Sequence, residues 1–238
     1  MKIASFASIA PRRAQLIRAV ESIIAQVDHV FIYLNGHPEP WPGLWSYADK
    51  ITWAFSRTSG WRGSEGKFWW SDAAKFARPI HLGGDVAFGC DDDIEYPCDY
   101  VEGMIESLER HPGSIVGVHG ARIKEPITGY HECLDLRWRF TAGLLHDTRV
   151  HILGTGTIAY RPKDIRLDFA KFYVPNMSDL WLAILAREQS IDLWAVHRPA
   201  RWCRAIPTTG YSISSAKSSG RDLAETELVQ MHAPWPKL

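Results

Sequence analysis

The first 36 residues alternate between two apolar, strand-like runs and an amphipathic helix. The runs cover residues 2–8 and 30–34, and the second is closed by the turn signal Asn35-Gly36. Between them, apolar residues recur every three or four positions, which predicts a helix over about 12–25. A strand, a helix and a strand in this order predict a parallel pair with a right-handed crossover. We therefore expect an α/β domain built on a mixed, mainly parallel sheet flanked by helices.

The rest of the chain continues this alternation, without an internal repeat or an interdomain linker. A Pro-, Gly- and Trp-rich loop is expected over 37–50, and Pro97 and Ser178 are expected in the first turn and at the N-cap of their helices. The pattern predicts strands near 51–55, 81–88, 115–119, 153–160 and 195–202, and helices near 67–77, 97–110, 178–188 and 221–231.

Composition excludes several classes of protein. Lys+Arg and Asp+Glu both number 27, so no global field favours nucleic acid or an anionic membrane. The four cysteines form no CxxC pair, which indicates reduced thiols and argues against a zinc site. The N-terminal residues show no long apolar h-region or cleavage site, so we expect no secretory leader, and no apolar run is long enough to span a bilayer. We expect a cytoplasmic protein, at most peripheral at the inner face of the membrane.

Three consecutive acids follow a run that is typical of a buried strand. Asp91, Asp92 and Asp93 come after Val86-Ala87-Phe88, so they are expected just past the carboxyl end of that strand, where α/β sheets place their ligands. In an extended chain, residues i and i+2 point to the same side. Asp91 and Asp93 are therefore predicted to hold one divalent cation, which can bridge to a diphosphate.

Two other interpretations of the acid run were weighed. A solvated acidic turn explains many aspartate runs, but it does not explain the position between a buried strand and a helix. Asp91, Asp93, Glu95 and Glu102 fall on positions 1, 3, 5 and 12 of a calcium-binding EF-hand loop. That interpretation fails because the sixth position requires glycine and is Tyr96 here.

Further candidate residues stand in predicted loops or at a helix start. Asp179 either complements the dipole of its helix or is an active-site acid. Arg12 and Lys67 follow strands, and they are either surface charges or phosphate contacts. Gly154 and Thr155 belong to a tight glycine-rich strand entry that also lets backbone approach a ligand closely.

Histidines and tryptophans carry weaker signals. His119 and His197 lie near predicted strands, where a lone histidine is more often structural than a metal ligand. Eleven tryptophans fit core packing first, and a sugar or acceptor groove second.

Taken together, these segments resemble the GT-A glycosyltransferases, and among them the α-N-acetylglucosaminyltransferases of bacterial heparosan capsule synthesis. The resemblance covers most of residues 4–202 and fades beyond Trp202. Its specific strings are Asp91-Asp92-Asp93-Ile94, Tyr96-Pro97, Asp99-Tyr100-Val101-Glu102 and Leu153-Gly154-Thr155-Gly156-Thr157; its weaker ones are Pro11-Arg12, Ala25-Gln26-Val27-Asp28, Leu34-Asn35, Gly66-Lys67-Phe68, Val116-Gly117, His119-Gly120 and Gly143-Leu144-Leu145.

The resemblance implies one GT-A domain over 1–238. It comprises a nucleotide-sugar half (about 1–110) and an acceptor half (about 111–206), while the Ser-, Thr- and Gly-rich stretch after Pro207 predicts a mobile tail (207–238). It implies Mn²⁺ or Mg²⁺ on Asp91 and Asp93, with Asp179 as an active-site acid beneath the reacting sugar. It does not provide a match for His197 as a metal ligand. The donor-binding residues expected are Arg12, Lys67, Asp91, Asp92, Asp93, Gly154 and Thr155.

The sequence thus predicts an enzyme that moves a sugar from a UDP-sugar to an oligo- or polysaccharide acceptor. The resemblance implies that the sugar is N-acetylglucosamine, and that a partner glycosyltransferase takes part as in the capsule systems. Asp179 would be a general base in an inverting enzyme, or would orient the sugar in a retaining one. The tail, with Lys217 or Arg221, would close over the nucleotide. Two alternatives remain: a sugar-nucleotide nucleotidyltransferase, and a non-catalytic carbohydrate-binding protein.

Overall fold

The computed structural model describes residues 1–36, 39–56, 85–167, 172, 176–208 and 219–238, with side chains of 219–221 excepted. Within these ranges the chain forms thirteen strands: β1 Lys2–Ile9, β2 His29–Asn35, β3 Ile51–Phe55, β4 Val86–Asp91, β5 Ile94–Glu95, β6 Ile115–Gly117, β7 Gly120–Ile123, β8 Leu134–Trp138, β9 Thr148–Val150, β10 Ile152–Leu153, β11 Thr157–Tyr160, β12 Leu193–Ala195 and β13 Arg204–Ala205.

Helices connect the strands. The α-helices of the described residues are α1 Arg13–Ile23, α2 Tyr100–Arg110, α3 Tyr130–Cys133, α4 Ser178–Glu188 and α5 Ser219–Met231. Short 3-10 turns cover Ala10–Arg12 and Pro42–Tyr47. No helix within the described ranges has the length and apolarity needed to cross a membrane.

A central sheet joins the two predicted halves. Its eight described strands run in the order β3-β2-β1-β4-β11-β6-β12-β9. The first four are parallel to one another, and β6 is parallel to β12, whereas β11 is antiparallel to both β4 and β6. The predicted parallel β1–β2 pair is confirmed, with Ile3 opposite His29. Because β4, β6 and β12 point the same way, their carboxyl ends share one edge of the sheet.

Two apolar clusters cover the faces of this sheet. One contains the buried face of α1, made by Leu16, Ala19, Val20 and Ile23 at one-turn spacing, packed with β1, β2 and β4. The other surrounds α4, which is buried almost all round because it lies between β10 and α5. The strands β1 and β2 are buried on both faces, as expected for parallel strands covered by helices.

Several boundaries differ from the sequence prediction. The loop expected over 37–50 contains a 3-10 turn, and α2 begins at Tyr100, so Pro97 precedes the helix. The strand expected over 153–160 is two strands in different sheets, β10 and β11. The strand expected over 195–202 ends at Ala195. The turn at residues 155 and 156 separates β10 from β11.

The C-terminal part of the predicted mobile tail is packed. Leu228, Val229 and Trp235 are buried in the α4 cluster, and Gln230 Nε2 donates to the Ile127 carbonyl at 2.9 Å. The tail prediction is therefore wrong for residues 219–238, because apolar side chains of α5 complete the core. Residues 209–218, the helix expected over 67–77 and the N-terminal part of the 81–88 strand lie outside the described residues.

Candidate active site

The acid run lies at the carboxyl edge of the central sheet. Asp91 is the last residue of β4 and pairs in register with Ala7 of β1, while Asp92 and Asp93 form a turn before β5. The sequence argument placed all three acids beyond an extended strand, and this is wrong in detail. Asp91 belongs to the strand, and the chain turns at the next two residues. Their charges nevertheless remain close enough to affect one another.

Asp92 points into the protein. Only 4% of its surface is exposed, and its carboxylate accepts hydrogen bonds from Ser8 Oγ at 2.5 Å and from Arg12 Nη1 at 2.6 Å. Burial raises the pKa of Asp92, although Arg12 and Ser8 act in the opposite direction. Asp92 therefore ties the turn to β1 and to the start of α1, and its carboxylate is occupied by protein partners.

Asp93 is half-buried and electrostatically crowded. Burial, together with the charges of Asp91 and Asp92, raises the pKa of Asp93 to about 6, against the opposing effect of Arg12. The Arg12 guanidinium lies 3.1 Å from Asp93 Oδ2. Like charges that raise one another's pKa are stabilised by a cation, and a set of carboxylate oxygens suits Mg²⁺ or Mn²⁺. Asp91 and Asp93 thus fit the predicted metal, and Asp92 does not.

The glycine-rich turn between β10 and β11 lies against the acid run. A Cβ atom added to Gly156 would collide with the Asp91 carboxylate, and one added to Gly154 would lie 2.9 Å from the Cβ of His119. Asp91 and His119 therefore flank this turn, and their side chains occupy the space that a Cβ at Gly156 or Gly154 would take. That Gly154 lets the backbone approach a ligand stays a prediction, and the atoms that lie close to it in the structure belong to His119.

Asp179 is fixed to the same turn. Its Oδ1 accepts hydrogen bonds from the backbone N–H and the Oγ1 of Thr155, both at 2.8 Å. Ser178 lies inside α4, whose N-cap is Met177, so the predicted Ser178 cap is wrong. The Ser178 hydroxyl instead pairs with Thr155 Oγ1 at 3.0 Å. The turn thus contacts the acid run through Gly156 and Asp179 through Thr155.

The chain after Cys203 returns to the acid run. β13 pairs antiparallel with β5, and the Ile206 amide donates to the Asp93 carbonyl at 2.8 Å. Gln15 of α1 donates to the Pro207 carbonyl at 3.3 Å. The segment predicted to close over the nucleotide therefore starts beside Asp93. Lys67, Lys217 and the Arg221 side chain lie outside the described residues.

Two residues near the acid run were not assigned a role from the sequence. Tyr96 is buried, and its hydroxyl contacts both Asp91 and Gly156. His119 lies beside Gly154, and burial lowers its pKa even though the charge of Asp91 raises it. The signal for Tyr96 was its position directly after the acids. His119 has the weaker signal of a polar residue following β6.

His197 contacts a different cluster, which is centred on Asp147. Its backbone N–H donates to Asp147 Oδ1 at 2.7 Å, and Arg110 and His111 contact the other carboxylate oxygen. Burial alone would raise the pKa of Asp147, but these donors hold it well below its usual range. These contacts are those of a structural histidine.

A second group of potential metal ligands lies on other elements. His131 of α3 and Asp222 and Glu225 of α5 place ligand atoms within 4.8 Å of one another. His131 and Asp222 are partly exposed, at 38% and 51% of their side chains. α3 and α5 contribute no residue to the acid run, so this group is distinct from the predicted cation site.

Comparison with known proteins gives matches only at the level of structure. No protein-family model matches the chain, and no curated protein matches its sequence. A crystal structure of GalNAc-T7 with UDP, GalNAc and Mn²⁺ is similar with a TM-score of 0.57 and 10% identity, over 97% of this chain and 48% of that one. Staphylococcus aureus TarS 1–349 in complex with UDP-GlcNAc is similar with a TM-score of 0.57 and 12% identity, over 95% of this chain and 64% of that one.

These similarities confirm the predicted fold class. The mixed eight-stranded sheet flanked by helices is the fold of these GT-A glycosyltransferases. The chain spans about half of the first matched protein and under two thirds of the second. At identities of 10% and 12% the likeness shows the fold, so the activity must be argued from the site.

Proposed function

We propose that this protein is a metal-dependent glycosyltransferase that moves a sugar from a UDP-sugar to a glycan acceptor. One observation carries the proposal. A single turn, residues 154–156, contacts the Asp91 side chain at Gly156 and is hydrogen-bonded to Asp179 at Thr155. Transfer from a nucleotide sugar needs groups at both ends of the breaking bond: charge stabilisation at the diphosphate and an acid or base near the reacting sugar.

Asp91 and Asp93 hold the cation in this proposal, in a DXD arrangement. When bound, Mn²⁺ or Mg²⁺ supplies a Lewis acid for the negative charge that develops on the β-phosphate of UDP. Arg12 is engaged by Asp92 and Asp93, so its role is to balance the acids of the metal-free site and to add positive charge beside the diphosphate. Lys67, outside the described residues, is proposed as a further phosphate contact.

Asp179 acts at the sugar. Its Oδ1 is held by the N–H and the hydroxyl of Thr155, so the orientation of the carboxylate is set by the turn. In an inverting reaction Asp179 takes the proton of the acceptor hydroxyl as general base. In a retaining reaction it orients the sugar while the leaving phosphate assists the acceptor. The resemblance to the heparosan enzymes favours retention.

The proposed donor is an N-acetylhexosamine nucleotide, with UDP-N-acetylglucosamine first. The heparosan resemblance supports this choice, and both structural neighbours are complexes with an N-acetylhexosamine, as GalNAc or as UDP-GlcNAc. The proposed acceptor is a surface polysaccharide or a related glycan, made at the cytoplasmic face of the membrane, with a partner glycosyltransferase for alternating chains. Asp92, Gly154 and Thr155 shape the donor site rather than contact the sugar.

Release of UDP tests the proposal. Purified protein with Mn²⁺ and a panel of UDP-sugars should release UDP slowly, and a chelator should abolish the release. Asp93→Ala should abolish it as well, while Asp135→Ala, which removes an exposed acid of β8, should not change it. Asp179→Asn should keep UDP binding and lose several orders of magnitude in turnover.

The outcomes separate the candidate functions. A nucleotidyltransferase would consume a nucleoside triphosphate and a sugar phosphate instead of a UDP-sugar. A carbohydrate-binding protein would bind glycan and ignore UDP with Mn²⁺. Full turnover by Asp93→Ala would remove this acid from metal binding, and normal turnover by Asp179→Asn would remove Asp179 from the chemistry.

A further inference from the structure

The Tyr96 hydroxyl bridges two backbone segments of the candidate site. Tyr96 is 3% exposed, and its hydroxyl accepts a hydrogen bond from the Asp91 N–H at 2.9 Å and donates one to the Gly156 carbonyl at 2.7 Å. A phenolic hydroxyl can do both at once. Tyr96 therefore links the end of β4, where the acid run starts, to the turn that holds Asp179.

The bridge stands where the β4–β11 ladder stops. In that antiparallel pair Cys90 lies opposite Thr157, so the next facing residues would be Asp91 and Gly156. In a continuing ladder these two residues would be hydrogen-bonded directly or face each other closely. Instead the hydroxyl of Tyr96 lies between the Asp91 N–H and the Gly156 carbonyl. It joins the two chains where their ladder ends, and both backbone groups have a hydrogen-bond partner.

The Tyr96 bridge also affects the positions of the Asp91 and Asp179 carboxylates. The Asp91 side chain packs over Gly156, in space that a Cβ would fill. The next residue of the turn, Thr155, holds Asp179 through its N–H and hydroxyl. The contacts run without a break from Asp91 through Tyr96 and the turn to Asp179. The separation of the metal-binding acids from Asp179 is therefore set at this bridge.

We propose that Tyr96 is a positioning residue, which fixes Asp91 for cation binding and sets its separation from Asp179 through the Gly156 turn. This inference rests on the proposed function for its consequence in turnover, but its effect on Asp91 is independent of the sugar donor. Tyr96 itself touches neither nucleotide nor sugar in the proposal. It acts through the backbone of Asp91 and Gly156.

Tyr100 provides a matched control. Its ring centroid lies 4.8 Å from that of Tyr96, and it is fully buried as well. Within the described part of the chain its hydroxyl has no hydrogen-bond partner. Tyr→Phe at either position removes one buried oxygen from neighbouring rings of the same core. Only the change at Tyr96 removes a bridge between the acid run and the turn.

The experiment compares Tyr96→Phe with Tyr100→Phe in the full chain. Mn²⁺ affinity is measured by the electron paramagnetic resonance of free Mn²⁺, counting only the binding that Asp93→Ala abolishes. Amide hydrogen exchange is followed at Asp91. Tyr96→Phe removes both hydrogen bonds of the bridge, and the loss of the one from the Asp91 N–H should weaken the affinity by about three- to tenfold and speed the exchange. Tyr100→Phe should match the wild type in both, and thermal melts should show that both variants fold.

Each outcome decides the proposal. Equal Mn²⁺ affinities for the two variants would refute it, even if Tyr96→Phe melted at a lower temperature, because a purely structural tyrosine has that signature. A wild type without Asp93-dependent Mn²⁺ binding would also refute it. If the wild type binds Mn²⁺, and Tyr96→Phe binds it less, but no UDP-sugar is turned over, then the proposed function fails and the role of Tyr96 stands.

Discussion

Replacing Arg12 by methionine should destabilise the protein more than any surface charge change. The Arg12 and Asp92 side chains are 15% and 6% exposed and meet at 2.6 Å, and Asp93 is a second partner at 3.1 Å. Methionine keeps much of the apolar stem and removes the charge. Asp92 is then left buried with Ser8 as its remaining recorded donor.

The size of the effect follows from burial. Removing one partner of a buried ion pair costs about 3–5 kcal/mol, since the other charge remains without compensation. The Ser8 hydrogen bond and protonation of Asp92 limit the loss, so we expect about 3 kcal/mol at pH 7. The pKa of Asp92 is already raised by burial and should rise further without Arg12. A carboxyl whose pKa is raised in the folded state destabilises the fold progressively as pH rises and it must ionise. The free energy of unfolding lost in Arg12→Met should therefore become smaller towards pH 5.

Denaturation in guanidinium, with Mn²⁺ and Mg²⁺ removed, measures this loss. Arg18→Met is the matched control, because Arg18 forms an exposed pair with Glu95 at 3.0 Å and should contribute less than about 1 kcal/mol. In Arg12→Met with Asp92→Asn the buried charge is gone, so the two changes should couple by about 2 kcal/mol. A loss below about 1 kcal/mol for Arg12→Met, or strictly additive effects, would refute the argument.

Two further changes probe the turn and the Asp147 cluster. Gly156→Ala should displace the Asp91 carboxylate and reduce Mn²⁺-dependent UDP release by about 100-fold or more, because metal–ligand distances are defined to within about 0.2 Å. Gly103→Ala is its control, since a Cβ at this helical position lies 3.2 Å from the nearest Trp202 atom. Near-normal UDP release by Gly156→Ala would contradict the reasoning. Asp147→Asn should lower the unfolding free energy by about 1 kcal/mol at neutral pH. Because the pKa of Asp147 is held below its usual range, the wild-type advantage should be complete above about pH 5 and fade on acidification, whereas an advantage that grew in acid would be inconsistent with these contacts.

The sequence was sufficient for features that depend on neighbouring residues. The strands β1, β2 and β3 and the helix α4 were predicted within one or two residues at each end, since apolar spacing along the chain reports directly which face is buried. The acid run was also correctly placed at the carboxyl edge of a buried strand. The glycine-rich turn was identified because glycine marks a close approach without revealing what approaches.

The local sequence pattern could assign Asp91 and Asp93 to a cation by their spacing, but it could not reveal which side chains contact Asp92. Asp92 faces inward because Ser8, 84 positions earlier in the chain, donates to its carboxylate, and Arg12 lies 80 positions away. Likewise, Tyr96 meets Gly156 across 60 positions. Periodicity within a segment carries no information on such pairs, so the sequence alone could not predict that Ser8 and Arg12 hold Asp92 or that Tyr96 reaches Gly156.

The amino-acid sequence was enough to predict an α/β domain with an acidic cluster at its sheet edge. The apolar residues of each buried strand, and the acids that follow β4, are close together in the chain and can be recognised from local spacing. Only the tertiary structure shows that Ser8 and Arg12 engage Asp92, and that Tyr96 and Thr155 link Asp91 to Asp179 through the turn. Those assignments depend on which distant segments the crossovers bring into contact, and this is settled only when the sheet has formed.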